Sequence, residues 1–100
     1  MRQYSVSWDP RAARELTDAR AWLGSGRAVE LNDELRHVRE RLGAFPEMAP
    51  PVRLRGTWST TVRRLVLIRN PYHLYYRVNH EAERIVVLSL WHERRRPPRL

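Results

Sequence analysis

Between Val62 and His92 the chain carries three runs rich in β-branched and aromatic residues, Val62 to Arg69, Tyr72 to Asn79 and Arg84 to His92. They are parted only by Asn70-Pro71 and by His80-Glu81-Ala82-Glu83. Connections this short can reverse a strand but cannot carry a crossover, so the runs predict an antiparallel meander. The first half of the chain supplies a cover for it. Ala12, Leu16, Ala19 and Leu23 step at helical spacing, with Ala13 and Trp22 widening the stripe, and Leu31, Leu35, Val38 and Leu42 repeat the pattern. Each set predicts a helix with one apolar face. Asp9-Pro10 is a start signal for the first helix and Gly24-Ser25-Gly26 an end; the second runs from about Arg27 to Leu42, with Gly43 as a left-handed terminal cap.

Ahead of the helices, Gln3 to Trp8 alternates, Tyr4, Val6 and Trp8 on one side and Ser5 and Ser7 on the other, which predicts a strand. A helical hairpin is expected to return the chain to the end of the sheet it left, making this strand antiparallel to its neighbours. The stretch Ala44 to Pro51 holds three prolines and reads as a loop anchored by Phe45. The predicted fold class is therefore α+β, β-αα-β-β-β, a helical hairpin packed on one face of a small antiparallel sheet. One hundred residues support one core, giving a single domain over 1–100 with a basic tail over 93–100.

Hydrophobic residues make up 42% of the chain and charged residues 30%, the composition of a folded domain. The chain lacks an apolar run long enough to span a bilayer and a leader-like opening, so a cytoplasmic protein without a membrane partner is expected. Cysteine is absent, which removes disulfides and thiolate chemistry. The net charge is +8 and all 19 basic residues are arginine, which favours polyanionic partners. Arginine does not act as a general base, so any acid–base chemistry falls to histidine, carboxylate or tyrosine. The four histidines lie in separate elements without metal-ligand spacing, and no glycine-rich phosphate loop occurs. No metal or cofactor is expected, and the sequence reads against nucleotide binding.

In the run from Tyr72, alternation puts Tyr72, Leu74, Tyr76 and Val78 on a core face and His73, Tyr75, Arg77 and Asn79 on the opposite one. The second face, polar, aromatic and basic, is the expected surface for a target or nucleic acid through His73, Tyr75 and Arg77, joined by Arg94, Arg95 and Arg96 of the tail. Trp58 and Trp91 are expected in the core, and His37 and His80 at the surface.

The segments Arg63-Arg64-Leu65-Val66-Leu67, Pro71-Tyr72-His73-Leu74-Tyr75-Tyr76-Arg77-Val78 and Ile85 through Arg95, in this order behind a strand and two helices, resemble the RelE/ParE superfamily of toxins from bacterial type II toxin–antitoxin systems. The runs Leu74-Tyr75-Tyr76-Arg77-Val78 and Leu90-Trp91-His92-Glu93-Arg94-Arg95 resemble the ParE-like branch most closely. That resemblance implies a toxin acting on DNA gyrase, neutralised by a cognate acidic antitoxin in a hetero-oligomer. On the helix stripes, Leu16, Trp22, Leu31 and Leu35 are the expected antitoxin anchors. The RelE-like branch implies a ribosome-dependent mRNA endoribonuclease instead. Of its pattern Arg64 is present, but Val66 stands in place of a lysine, Glu93 follows the last strand, and no tyrosine occurs after Tyr76. A nuclease would have to use His92 and Glu93 for proton transfer, with Arg64 and Arg77 as phosphate clamps and His73 beside them. A family member that has lost toxicity is the third reading.

Overall fold

The computed structural model describes residues 2–54 and 61–100, so Trp58 lies outside the described residues. The elements run β1 (Ser5–Trp8), α1 (Pro10–Leu23), α2 (Ser25–Ala44), β2 (Pro51–Val52), β3 (Val62–Val66), β4 (Tyr72–Asn79) and β5 (Arg84–His92). The strands form one sheet in the order β1-β5-β4-β3-β2. Both helices pack on one face of it, Ala12 and Ala19 of α1 and Leu31, Leu35, Val38 and Leu42 of α2 meeting Leu65, Leu74, Tyr76, Ile85 and Val87.

The helix starts as its sequence directs. Asp9 Oδ2 accepts from the Arg11 N–H at 3.1 Å, and Pro10 occupies the first helical position. A single residue, Gly24 at φ 81°, separates α1 from α2. Gly43 is not the expected cap; it lies inside α2, which runs to Ala44. Its missing side chain has another purpose. A Cβ there would collide with the Gln3 side chain and sit 3.0 Å from the Tyr4 carbonyl oxygen, so the glycine lets α2 touch the chain entering β1.

β3, β4 and β5 form the expected antiparallel meander, with the short β2 added on its outer edge. β1, however, pairs with β5 in parallel, Ser5 against Arg84 through Trp8 against Val87. The expectation failed at the helical hairpin. α1 does not turn back at the end of β1 but continues along β5, where Glu15 accepts from Ser89 Oγ at 2.8 Å and from the Leu90 N–H at 3.2 Å, past the last β1–β5 pair. α2, with 20 residues against 14, then spans the way back to the beginning of β1, where the Tyr4 N–H bonds the Gly43 carbonyl at 2.9 Å. The chain re-enters the sheet from β1's amino end, so the sheet is mixed.

A β-bulge interrupts the β4–β5 ladder: Tyr75 faces Ser89 and Tyr76 faces Val87, leaving Leu88 as an extra residue on β5. The bulge reverses the parity of the rest of the strand. Ile85 and Val87 point to the helices, but so do Leu90 and His92, whereas unbroken alternation would have turned Trp91 inward. Trp91 instead pairs with His73 and is only half-buried, which corrects its assignment to the core. The proline loop is likewise fastened differently from expectation. Phe45 is exposed, and the buried Tyr76 hydroxyl holds the loop by donating to the Pro46 carbonyl at 2.9 Å and accepting from the Ala49 N–H at 3.3 Å.

Candidate partner and target surfaces

The sheet divides the candidate residues between two sides. On the helical side, Leu16 lines a groove of about 220 Å³ with Val6 and Trp8 of β1 and Leu35, Val38 and Leu42 of α2. Its apolar floor is rimmed by Arg20, Arg36 and Arg39. This is the pattern an amphipathic acidic segment would match, with apolar side chains going down and carboxylates meeting guanidinium groups at the edge. Two of the four expected anchors do not fit it. Leu31 is 0% exposed and spent on the core, because the stripe that packs a helix on a sheet cannot also face a partner, whereas Leu35, 9% exposed, lines the groove beside Leu16. Trp22, expected to widen the buried stripe, lies outside it at 82% exposure.

On the opposite face Arg64, His73 and Arg77 project from β3 and β4, all half-buried. Tyr75 shares this face but is only 1% exposed, which corrects its assignment as an open contact. It sits mid-face with Arg64 opposite on β3 and His73 and Arg77 on either side along β4. Burial holds the His73 imidazole below its ordinary value; Arg64 pushes the same way and Glu93 opposes. His73 is therefore neutral at neutral pH, and among the described residues no hydrogen bond orients its ring.

His92 is on the other side. It packs edge-on against Tyr72, ring centroids 5.4 Å apart at 81°, and its Nδ1 accepts from the Arg94 N–H at 3.2 Å. Alternation separates His92 from Glu93, and the bulge decides the sides: the first faces α1, the second acts on His73. The five residues expected to serve a nuclease are not brought to one point.

The basic tail is folded back onto the domain. Trp91 Nε1 donates to the Arg96 carbonyl and Arg11 to the Arg99 carbonyl, each at 2.6 Å, and Pro98 is buried. The Arg95 guanidinium lies 3.9 Å from the Trp91 ring centroid, with Arg11 at 5.6 Å. Arg94, Arg95 and Arg96 remain exposed on this strap.

Sequence reading missed two polar centres. Glu34 is buried in α2 and gathers the β3–β4 turn, and His80 bridges Tyr4 and Glu47, with Nδ1 2.9 Å from the Tyr4 hydroxyl and Nε2 2.8 Å from the carboxylate. No local signal marks either, since each joins elements far apart in sequence.

Two helices on a five-stranded mixed sheet define a small α+β fold shared with chains of solved toxin–antitoxin systems. A family model described as the ParE toxin of the type II toxin–antitoxin system parDE matches residues 6–97, and the chain belongs to that family. Similar solved structures share the fold. A chain of the chromosomal ParDE system from P. aeruginosa aligns with TM-score 0.63 and 22% identity, over 90% of this chain and 96% of that one. The RelBE2 toxin–antitoxin complex from Mycobacterium tuberculosis gives 0.60 and 24% over 90% and 98%. The archaeal RelE–RelB complex from Pyrococcus horikoshii gives 0.62 and 20% over 94% and 99%. No curated protein matches the sequence. Among the described residues, no helix is long and apolar enough to cross a membrane.

Proposed function

We propose that this toxin is ParE-like in action, arresting growth through DNA gyrase, and that its cognate antitoxin lays an acidic amphipathic segment in the groove rimmed by Arg20, Arg36 and Arg39. The observation that carries the gyrase reading is the match of residues 6–97 to the ParE toxin family model, and the division of His92 from Arg64, His73 and Arg77 by the sheet weighs against the nuclease. Cutting RNA through its 2′-hydroxyl needs a base, an acid and cationic donors around one phosphate, and groups on opposite faces of a sheet cannot surround one. Among the described residues, the neutral His73 beside Arg64 has no hydrogen-bond partner to orient it. Together, Arg64, His73 and Arg77 instead offer a basic surface for an anionic target. The pairing with an antitoxin draws on the groove, on the +8 charge and on the solved complexes of similar fold.

The test is induced expression with separate readouts of plasmid supercoiling, gyrase–DNA adducts and translation. Growth arrest with altered supercoiling and trapped adducts, relieved by the protein encoded beside the toxin, is the expected outcome. Cuts in translated messages at ribosomal A sites that vanish in His92→Ala would overturn the gyrase reading and establish the nuclease. For the groove, Leu16→Asp should abolish co-purification with that neighbour, and retention at moderate salt would remove the groove from the interface.

A further inference from the structure

A second cavity, of about 300 Å³, opens between α1 and the carboxyl end of β5, away from the arginine-rimmed groove. Its α1 wall presents Glu15, whose carboxylate is already taken up by Ser89, Leu90 and Arg11, and then Asp18 and Trp22, four residues apart and so on one face of the helix. Its sheet wall is the Tyr72–His92 ring pair, and Arg95 closes a third side. The size is that of a small-ligand site.

Two features of this cavity call for a ligand. Trp22 is 82% exposed, although tryptophan is among the side chains that gain most from burial. Asp18, one turn away, makes neither a hydrogen bond nor an ion pair among the described residues. The fold therefore leaves an indole and a carboxylate at one mouth without using either. The third wall has the opposite charge. Arg95 stacks on Trp91, its guanidinium making no hydrogen bond or ion pair among the described residues, and Arg27 lies near enough to act electrostatically on the Tyr72 phenol.

These three walls select among ligands. A cationic side chain would satisfy Asp18 but meet Arg95 and the charge of the whole protein. A free phosphate would pair with Arg95 and leave the rings unused. An aliphatic group would leave both charges unpaired. A nucleotide uses all three: the base lies against Trp22 and His92, its N–H edge meets Asp18, and the phosphate reaches Arg95. The phosphate is then held by guanidinium groups, not by the glycine-rich loop whose absence made the sequence read against nucleotide binding. Because an ionised carboxylate only accepts, it favours a base edge with adjacent donors, and guanine presents N1–H beside its exocyclic amine. We propose that this cavity is a purine-nucleotide subsite with preference for guanine, read by Asp18 and clamped by Trp22 and Arg95.

The experiment titrates the full chain with GMP, AMP, ribose 5-phosphate and N-acetyl-arginine amide, following tryptophan fluorescence and heat. GMP should quench fluorescence and bind more tightly than AMP, and ribose 5-phosphate should do neither. Trp22→Ala should abolish the quench and weaken GMP by about tenfold or more. Asp18→Asn should bring GMP and AMP to similar affinity while AMP binding changes little. Both side chains are exposed, so thermal melting of the variants should match the parent, which separates lost contact from lost fold. Equal binding of ribose 5-phosphate and GMP would show that only the arginines read the ligand. Tighter binding of the arginine amide would make this a peptide site. Either result, or GMP binding that survives Trp22→Ala and Asp18→Asn, or no GMP binding at millimolar concentration, overturns the proposal.

Discussion

At the Glu34 carboxylate, three donors from the β3–β4 turn converge on one buried side chain. Oε2 accepts from the Ile68 and Arg69 N–H groups at 2.7 and 3.0 Å, and Oε1 accepts from Asn70 Nδ2 at 2.7 Å. Burial, the largest single influence, pushes this carboxyl up, but the hydrogen bonds from Asn70, Arg69 and Ile68 together outweigh it and hold the group below its ordinary value of 4.5. A carboxyl depressed by folding contributes stability that is fully present above its unfolded value and is lost as pH falls through the folded one. The protein should therefore weaken below about pH 4.5. Glu34→Gln keeps one acceptor but turns an amide toward the Asn70 donor. It should lower stability at neutral pH by about 1–3 kcal/mol and flatten the acid slope. Urea denaturation of both proteins at neutral and acid pH checks this, and parallel acid slopes would show that Glu34 is not the titrating group.

At the scale of elements, local pattern is legible in the sequence and long-range geometry is not. The meander, both helices and the Asp9-Pro10 start can be read because periodicity and capping are properties of neighbouring residues. The parallel β1–β5 pairing depends on how far α1 runs along β5, which no spacing within either element specifies. The two faces of β4 are readable as an alternation, but whether a face is open depends on its cover, and Tyr75 is buried where the alternation alone suggests an open contact. The Leu88 bulge is the clearest case: one extra residue exchanges the sides of Trp91 and His92, and with them the plausibility of a nuclease site. Gly43 has the sequence context of a helix terminator, whereas its role is contact. Two opposing effects then fix the outcome of Gly43→Ala. Alanine gains about 1 kcal/mol in helix propensity, while its Cβ displaces the flexible Gln3 side chain and presses on the Tyr4 carbonyl. The net change should stay within about 1 kcal/mol. Gly43→Val adds bulk that the Tyr4 backbone cannot escape and should destabilise by about 1–3 kcal/mol. Thermal melts of the two variants test the pair, and a valine variant as stable as the alanine one would mean that β1 enters with more room than its contact with α2 implies.

For the whole molecule, the sheet separates an arginine-rimmed groove on one side from a basic face on the other, and the tail strap joins the basic face to the start of α1. The tail therefore both displays charge and covers Trp91, and deleting it confounds the two. Truncation after Arg94 removes the Arg96 and Arg99 carbonyl acceptors, the buried Pro98 and the Arg95 stack on Trp91. Two hydrogen bonds and a cation–π contact make a loss of about 1–3 kcal/mol the expected cost, so reduced growth inhibition in that variant would not identify a contact surface. Replacing Arg94 and Arg96 by glutamine separates the effects. Both side chains are exposed, and Arg96 holds the strap through its main-chain carbonyl, which the substitution preserves. Stability should change by no more than about 0.5 kcal/mol. Growth inhibition should nevertheless fall if these arginines meet an anionic target, and should fall further when Arg77→Ala on the same side of the sheet is added. Growth curves and melting temperatures for the truncation, the double variant and the triple variant give the comparison. A double variant that melts with the parent and arrests growth as strongly would show that the tail acts as a cover for Trp91 and not as part of the target surface.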